Sequence, residues 1–312
     1  MSSSETDSLA YGSAQFAESF NVHGEVFQLS HSGLYVIKRF VDEEKFDLTG
    51  VYPFSICRNW SGLAADIEEL KNSGAISLTF VADPFAESEI RRNSDQCQWS
   101  IFKRYKTHFT VETTADWEKS LSHDTRRRCR RALEKHKVEM LALSEETAES
   151  FWYLHQSLVR KYNISGLGKI TLPMLKEQIK CPGTYVFAAS FQGSLYGASI
   201  ILVSGEIAYL YLVAAHEKSY KNNTSYSLYF SCISWLQKQG IRWVNLGGNA
   251  GNENNDMDGL ARFKKQWSNS TFYSTLCGKI LNTTAYEELT VSSHTTQEKD
   301  FFPAYRSPKK SL

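Results

Sequence analysis

The chain has 312 residues, 42% of them hydrophobic and 22% charged; at about 150 residues per domain this means about two domains of ordinary globular composition. Lys and Arg number 35 against 34 Asp and Glu, a net charge of +1, which excludes a globally basic nucleic-acid binder but leaves room for a local patch. Whole-chain disorder is excluded, and with no window near 18 consecutive apolar residues no transmembrane helix is expected.

Residues 1–22 carry acidic and hydroxyl side chains where a signal peptide needs basic and then apolar ones. They read as a flexible leader on a cytoplasmic protein. The six cysteines lack CxxC spacing, so reduced, buried thiols are expected and no metal site. Residues 23–115 form a first α/β half. Leu34–Val41 and Ala75–Ala82 read as strands, Trp60–Asn72 as a helix stopped by Gly74, and Trp99–Val111 as a further extended run.

A second domain is expected over 116–282. It begins with a helix at 116–137, rich in arginine between Arg126 and Arg131, followed by helices at Ala148–Tyr162 and Leu172–Lys180. Three β-rich runs come next: Thr184–Phe191, Ser194–Val203 and Glu206–Val213. Gln192-Gly193 and Ser204-Gly205 between them read as hairpin turns, so the three make an antiparallel meander. A helix opens at Asn222-Asn223-Thr224 and stops at Gly240. A strand Ile241–Leu246, a Gly/Asn-rich loop from Gly247 to Asp258, a short helix Gly259–Trp267 and a strand Thr271–Leu276 complete it. Residues 283–312 read as a polar, loose tail. The class is α+β.

This order resembles the second half of the GNAT acyltransferase fold. Gly197–Val203, Gly205–Leu212 and Gly259-Leu-Ala-Arg-Phe-Lys264 are similar to the FemAB-like branch, which includes peptidoglycan-bridge aminoacyltransferases. Trp117–Leu133 is similar to the basic helix that precedes the core there. The likeness covers roughly residues 100–276. It implies a mixed sheet, an antiparallel meander plus a splayed parallel strand. The first half is open to being a degenerate sister half, which its own residues do not show.

The resemblance implies acyl transfer onto an amine or hydroxyl of a cell-envelope or sugar-containing acceptor. Its co-substrate would be acyl-CoA or aminoacyl-tRNA, with no permanently bound cofactor. The donor arm would lie between the splayed strands, beside Tyr211, Leu212 and Val213 and facing Asn245, where Gly247 and Gly248 permit close backbone approach. Asn222, Asn223 and Thr224 stand where acetyl-CoA enzymes carry a glycine-rich pyrophosphate loop. Lacking glycine, they argue against tight CoA binding. Lys264 matches the family's F-K lysine, a fixed positive charge near the developing oxyanion or the donor's phosphate; a solvated helix lysine is the plainer alternative. Arg126 and Arg130, four apart on one helical face, and Arg262 are candidate acceptor-binding cations. Partners would be a small-molecule or lipid-linked sugar acceptor and tRNA. No general base is identifiable. Rival readings are an aminoacyl-tRNA-dependent transferase and a non-catalytic module that binds through the arginine helix. Asn254-x-Asp256-x-Asp258-Gly259 starts like an EF-hand, but Lys265 stands where the bidentate Glu belongs.

Overall fold

The computed structural model describes residues 10–114, 116–249, 259–293 and 301–307. Its strands are β1 (Glu25–Gln28), β2 (Tyr35–Phe40), β3 (Phe46–Gly50), β4 (Ala75–Ala82), β5 (Ile101–Glu112), β6 (Lys137–Leu141), β7 (Thr184–Phe191), β8 (Ser194–Ser204), β9 (Ile207–Ala215), β10 (Trp243–Gly248) and β11 (Ser270–Ile280). Its helices are α1 (Ala14–Glu18), α2 (Leu63–Leu70), α3 (Glu87–Arg92), α4 (Ser94–Cys97), α5 (Trp117–Ser120), α6 (His123–Lys135), α7 (Glu145–Lys161), α8 (Leu172–Gln178), α9 (Thr224–Lys238), α10 (Gly259–Lys265) and α11 (Thr283–Ser292). The chain divides into two compact units, residues 1–19 with 107–272, and residues 20–106 with 273–312. Among the described residues no helix is long and apolar enough to cross a membrane.

The first unit has the strand order β5-β10-β9-β8-β7-β6. The meander β7–β8–β9 is antiparallel as its turns predict. Gln192 and Gly193 take φ of 51° and 77°, the left-handed pair that a tight hairpin requires. Through α9 the chain returns to place β10 parallel to β9. The helix that the arginines suggested breaks in two. Leu121 is extended after α5, and Ser122 Oγ accepts the Thr125 amide to start α6. The apolar face of α6 (Cys129, Ala132) joins α9 (Leu228, Cys232, Ile233) over Ala208, Leu210, Val244 and Leu246 of the sheet. On the other sheet face Tyr11 meets Tyr209 and Tyr211 edge-on, with centroids at 4.9 and 5.5 Å.

That contact corrects the leader reading of residues 1–22. Residues 10–20 are ordered: Tyr11, Phe16, Ala17 and Phe20 are buried, and Ser13 caps α1. A polar run hid aromatics spaced to cover a sheet. Residues 1–9 lie outside the described residues.

The second unit has the order β1-β2-β3-β4-β11. It repeats the same plan: a meander β1–β2–β3, a helix α2, then β4 parallel to β3. Its core gathers Leu48, Ile67, Leu78, Phe80 and Cys277 among others. In one respect the copy differs. Past Gly50 the chain turns back on β4, where the Ser55 amide donates to Val81 O at 2.7 Å and Asp83 N donates to Ser55 O at 3.1 Å. The backbone that a diverging parallel pair would leave open is therefore already paired.

The boundaries expected at 115/116 and 282/283 differ from these units because of sheet pairing. β5 pairs antiparallel with β10, and β11 pairs antiparallel with β4. The tail read as loose over 283–312 includes α11 and a docked segment. Tyr305 is buried against Ser77 and Asp47, and Arg306 and Arg39 both reach the buried Asp47 carboxylate. Residues 294–300 and 308–312 lie outside the described residues.

Candidate functional site

Parallel pairing of β9 with β10 runs from Ile207–Trp243 to Tyr209–Asn245 and goes no further among the described residues. Two irregularities sit where it stops. On β9, Leu212 faces Ile200 while Leu210 faces Ile201, so Tyr211 is an extra residue in the ladder with β8. On β10, Asn245 faces Thr110 and Gly248 faces His108, so one extra residue lies between them. A bulge bends its strand and re-aims the side chains beyond it. Leu210 and Val213, three apart, accordingly both meet the same core, whereas a regular strand would send them to opposite faces. The splayed pair expected from the sequence is present, with one bulge in each strand.

Gly247 takes φ +84°, and a Cβ there would come within 2.9 Å of Lys264 Nζ. Only glycine meets both conditions at low cost. The Gly247 amide donates to Asn245 Oδ1 at 2.8 Å, and Lys264 Nζ donates to Gly248 O at 2.7 Å. Lys264 is 8% exposed, while Lys265 beside it is exposed. The plainer reading of Lys264 as a solvated helix lysine is therefore incorrect. Its ammonium is turned inward onto the open end of β10, because Ala261, Phe263 and Trp267 fasten α10 to the core.

The other predicted residues are placed less uniformly. Asn245 is buried, and its Oδ1 also lies 3.2 Å from His108 Nδ1. The Tyr211 hydroxyl donates to Gln178 Oε1 at 3.1 Å, and its ring packs on Phe16. Leu212 and Val213 are half-buried on β9. Asn222 and Asn223 precede α9, Asn223 with left-handed φ and no side-chain cap. Thr224 is buried, its hydroxyl 3.0 Å from His136 Nε2 and 3.4 Å from Ser219 O, so its polar groups are engaged within the fold.

On α6, Arg126 is exposed and reaches the carbonyls of Glu118 and Lys119 that end α5. Arg127 and Arg128 both pair with Asp124, and the Arg128 bond foremost holds that carboxyl below its usual range. Arg130 is exposed, with no ionic partner among the described residues. The arginine that turns toward the site's elements is Arg128, which sits 5.6 Å from the Tyr226 ring centre, and Tyr226 bonds to Gln266 at the end of α10. Arg262 is exposed on α10. All six cysteines are free and buried; burial pushes the Cys129 thiol up to about 12, so it stays unreactive beside its arginines. Residues Asn254, Asp256 and Asp258, which begin the EF-hand-like run, lie outside the described residues.

Sequence reading missed His108. Trp99–Val111 reads only as an extended run, and nothing local marks a partner for His108 137 residues away.

No protein-family model and no curated protein sequence matches the chain. Solved structures do. FemX superposes with TM-score 0.65 at 12% identity, covering 88% of this chain and 93% of its own. The C-terminal domain assigned to a lysylphosphatidylglycerol synthetase from Agrobacterium fabrum gives 0.61 at 13% identity, over 90% and 91%. L-PGS from Bacillus licheniformis gives 0.59 at 12%, over 90% and 96%. These structures share this chain's fold, the mixed sheet of an antiparallel meander continued by a parallel strand that the sequence led one to expect, and the likeness extends over both units.

Proposed function

We propose that the chain is an acyltransferase that moves an acyl or aminoacyl group onto an amine or hydroxyl of a cell-envelope or sugar-containing acceptor. The observation that carries this reading is the open end of β9 and β10, with the buried Lys264 ammonium fastened beside it. An extended donor arm would complete the interrupted ladder with its own amide and carbonyl groups. Lys264 would then stand within the first unit as a fixed cation near the carbonyl under attack, where negative charge grows in the transition state. FemX and the lysylphosphatidylglycerol synthetase domain share the fold, and the lysyl group in the second name fits an aminoacyl group as the cargo. The absence of glycine from Ser219–Tyr226 argues against tight CoA binding.

Full-length protein would be incubated with radiolabelled acetyl-CoA or lysyl-tRNA and a panel of acceptors: free amines, nucleotide sugars, and vesicles containing lipid-linked sugars. Transfer from either donor is the expected result. A chain that transfers from neither, yet binds polyanions with affinity falling steeply in salt, is the non-catalytic module built on the arginine helix.

A further inference from the structure

The first unit carries a row of polar side chains on the sheet face away from its core. Phe109, Val111, Val244 and Leu246 point into that core. His108 and Thr110 of β5 and Asn245 of β10 therefore point the other way, beside Tyr209, which faces Asn245 across the parallel pair. His108 is 6% exposed, Asn245 2% and Thr110 0%. Three buried polar side chains in one patch of strand surface need a reason.

One bond sets the chemistry of the ring. Asn245 Oδ1 already accepts the Gly247 amide, so that atom is the carboxamide oxygen and His108 Nδ1 beside it must carry its proton. In the neutral ring the lone pair then belongs to Nε2. Two atoms of the same patch have their bonding capacity unspent: Asn245 Nδ2 and Thr110 Oγ1 are fully buried with no hydrogen-bond partner among the described residues. An orphaned donor and an orphaned hydroxyl on facing residues suit a polar ligand atom seated between them, and buried groups left this way cost free energy until one arrives. The patch lies at the last paired position before β9 and β10 diverge.

We propose that His108 is the proton acceptor for the attacking nucleophile, with Asn245 as its positioning residue. This rests on the transfer reading proposed for the site. The nucleophile is a primary amine or hydroxyl, seated against Thr110 Oγ1 and Asn245 Nδ2. As its nitrogen or oxygen bonds to the donor's carbonyl carbon, its proton passes to His108 Nε2 and the carbonyl π pair moves onto oxygen. The tetrahedral adduct then collapses. The bond to the donor's sulfur or ribose oxygen breaks, that atom keeps the electron pair, and the imidazolium returns the proton to it. The products are the amide or ester and the free thiol or hydroxyl, with His108 neutral again. Lys264 stands at the same end of the row, on the carbonyl of Gly248 opposite His108, where it meets the oxyanion rather than the proton.

The test compares two nucleophiles at neutral pH, with acetyl-CoA and lysyl-tRNA as parallel donors to the full-length chain. L-lysine arrives as an ammonium ion and must lose a proton, whereas hydroxylamine is already neutral and strongly nucleophilic. In His108→Gln the ratio of kcat/KM for L-lysine to that for hydroxylamine falls roughly 100-fold or more, the ordinary contribution of a general base. Asn245→Ala lowers it by a smaller factor, because the ring remains but its tautomer is released. In parallel, nitrogen-detected NMR of the wild-type chain shows the proton of His108 on Nδ1, and in Asn245→Ala shows a mixture. A His108→Gln ratio equal to wild type, or a wild-type ring protonated on Nε2, overturns the assignment of the base while leaving transfer intact. A wild-type chain that transfers to neither nucleophile from either donor removes the transfer reading and the base together. Residual turnover of hydroxylamine by His108→Gln identifies the variant as folded.

Discussion

Replacing Lys264 with Met removes a charge and keeps most of the stem's packing. The ammonium donates to Gly248 O at 2.7 Å and is 8% exposed. A hydrogen bond from a charged group is worth about 1.5–3 kcal/mol. Methionine also spares the cost of holding an ammonium away from water, so the net destabilisation should be about 1–2 kcal/mol. For a chain of this size that is about 2–4 °C of Tm per kcal/mol, leaving the variant folded in an assay at room temperature. The rate effect should be larger, about 100-fold or more, as for one electrostatic group at a developing oxyanion. It should appear in kcat rather than KM, since the charge it opposes grows only toward the transition state. Lys265→Met is the control: that side chain is exposed, and its loss should stay within about 0.5 kcal/mol and leave turnover alone. Single-turnover transfer to hydroxylamine reads both. If Lys264→Met runs at the wild-type rate, or Lys265→Met is equally impaired, the lysine fastens the Gly247–Gly248 turn and has no part in the chemistry.

Gly247→Ala forces a Cβ to within 2.9 Å of Lys264 Nζ at φ +84°, and should cost about 1–2 kcal/mol from the left-handed backbone as well as most of the activity; a variant as stable and active as wild type would show that the turn relaxes freely. Tyr11→Ala empties a buried position between Phe16, Tyr209 and Tyr211 and should lower stability by about 3–5 kcal/mol, whereas a residue on a loose leader would show no change in denaturant midpoint. Burial holds the His155 imidazole below its usual range near 6.5. The unfolded chain therefore takes up the proton first as pH falls, so the stability of the neutral buried ring is complete above about 6.5 and is lost as pH drops toward the folded value. Between about pH 7.5 and 5.5 the wild-type Tm should consequently fall more than that of His155→Phe, and parallel curves would refute this. Arg130→Ala should leave stability within about 0.5 kcal/mol of wild type and weaken binding of an anionic substrate at low salt; unchanged affinity would return Arg130 to a merely solvated face.

Local signals in the sequence were read well where they were self-sufficient. The turns at Gln192-Gly193 and Ser204-Gly205, the stop at Gly240 and the alternation of Ala75–Ala82 all depend on neighbours a few residues away, and β7, β8, β9, α9 and β4 follow them closely. The short strands β1 and β3 went unread, because their pairing with β2 and not their own pattern makes them strands. Lys264 was found through a resemblance, since a lysine in a basic helix turn does not announce burial. His108 was out of reach: its meaning lies in Asn245, and that pairing exists only once β5 has crossed to the edge of β10.

The exchange of closing strands bears on how the molecule is made. β4 is complete once Ala82 has been synthesised, yet the strand that covers its edge ends at Ile280. At ribosomal speeds of about 5–20 residues per second, β4 waits on the order of 10–40 s for its partner. Throughout that interval a strand of the sequence Ala-Ile-Ser-Leu-Thr-Phe-Val-Ala presents a bare edge, the kind that templates association with other chains. A fragment ending at Lys106 would hold that condition permanently, as would any nascent chain stalled before Ser270. Neither unit can therefore be expressed as a simple cut of the gene, and holding chaperones should be needed from the completion of β4 until β11 has emerged to cover it.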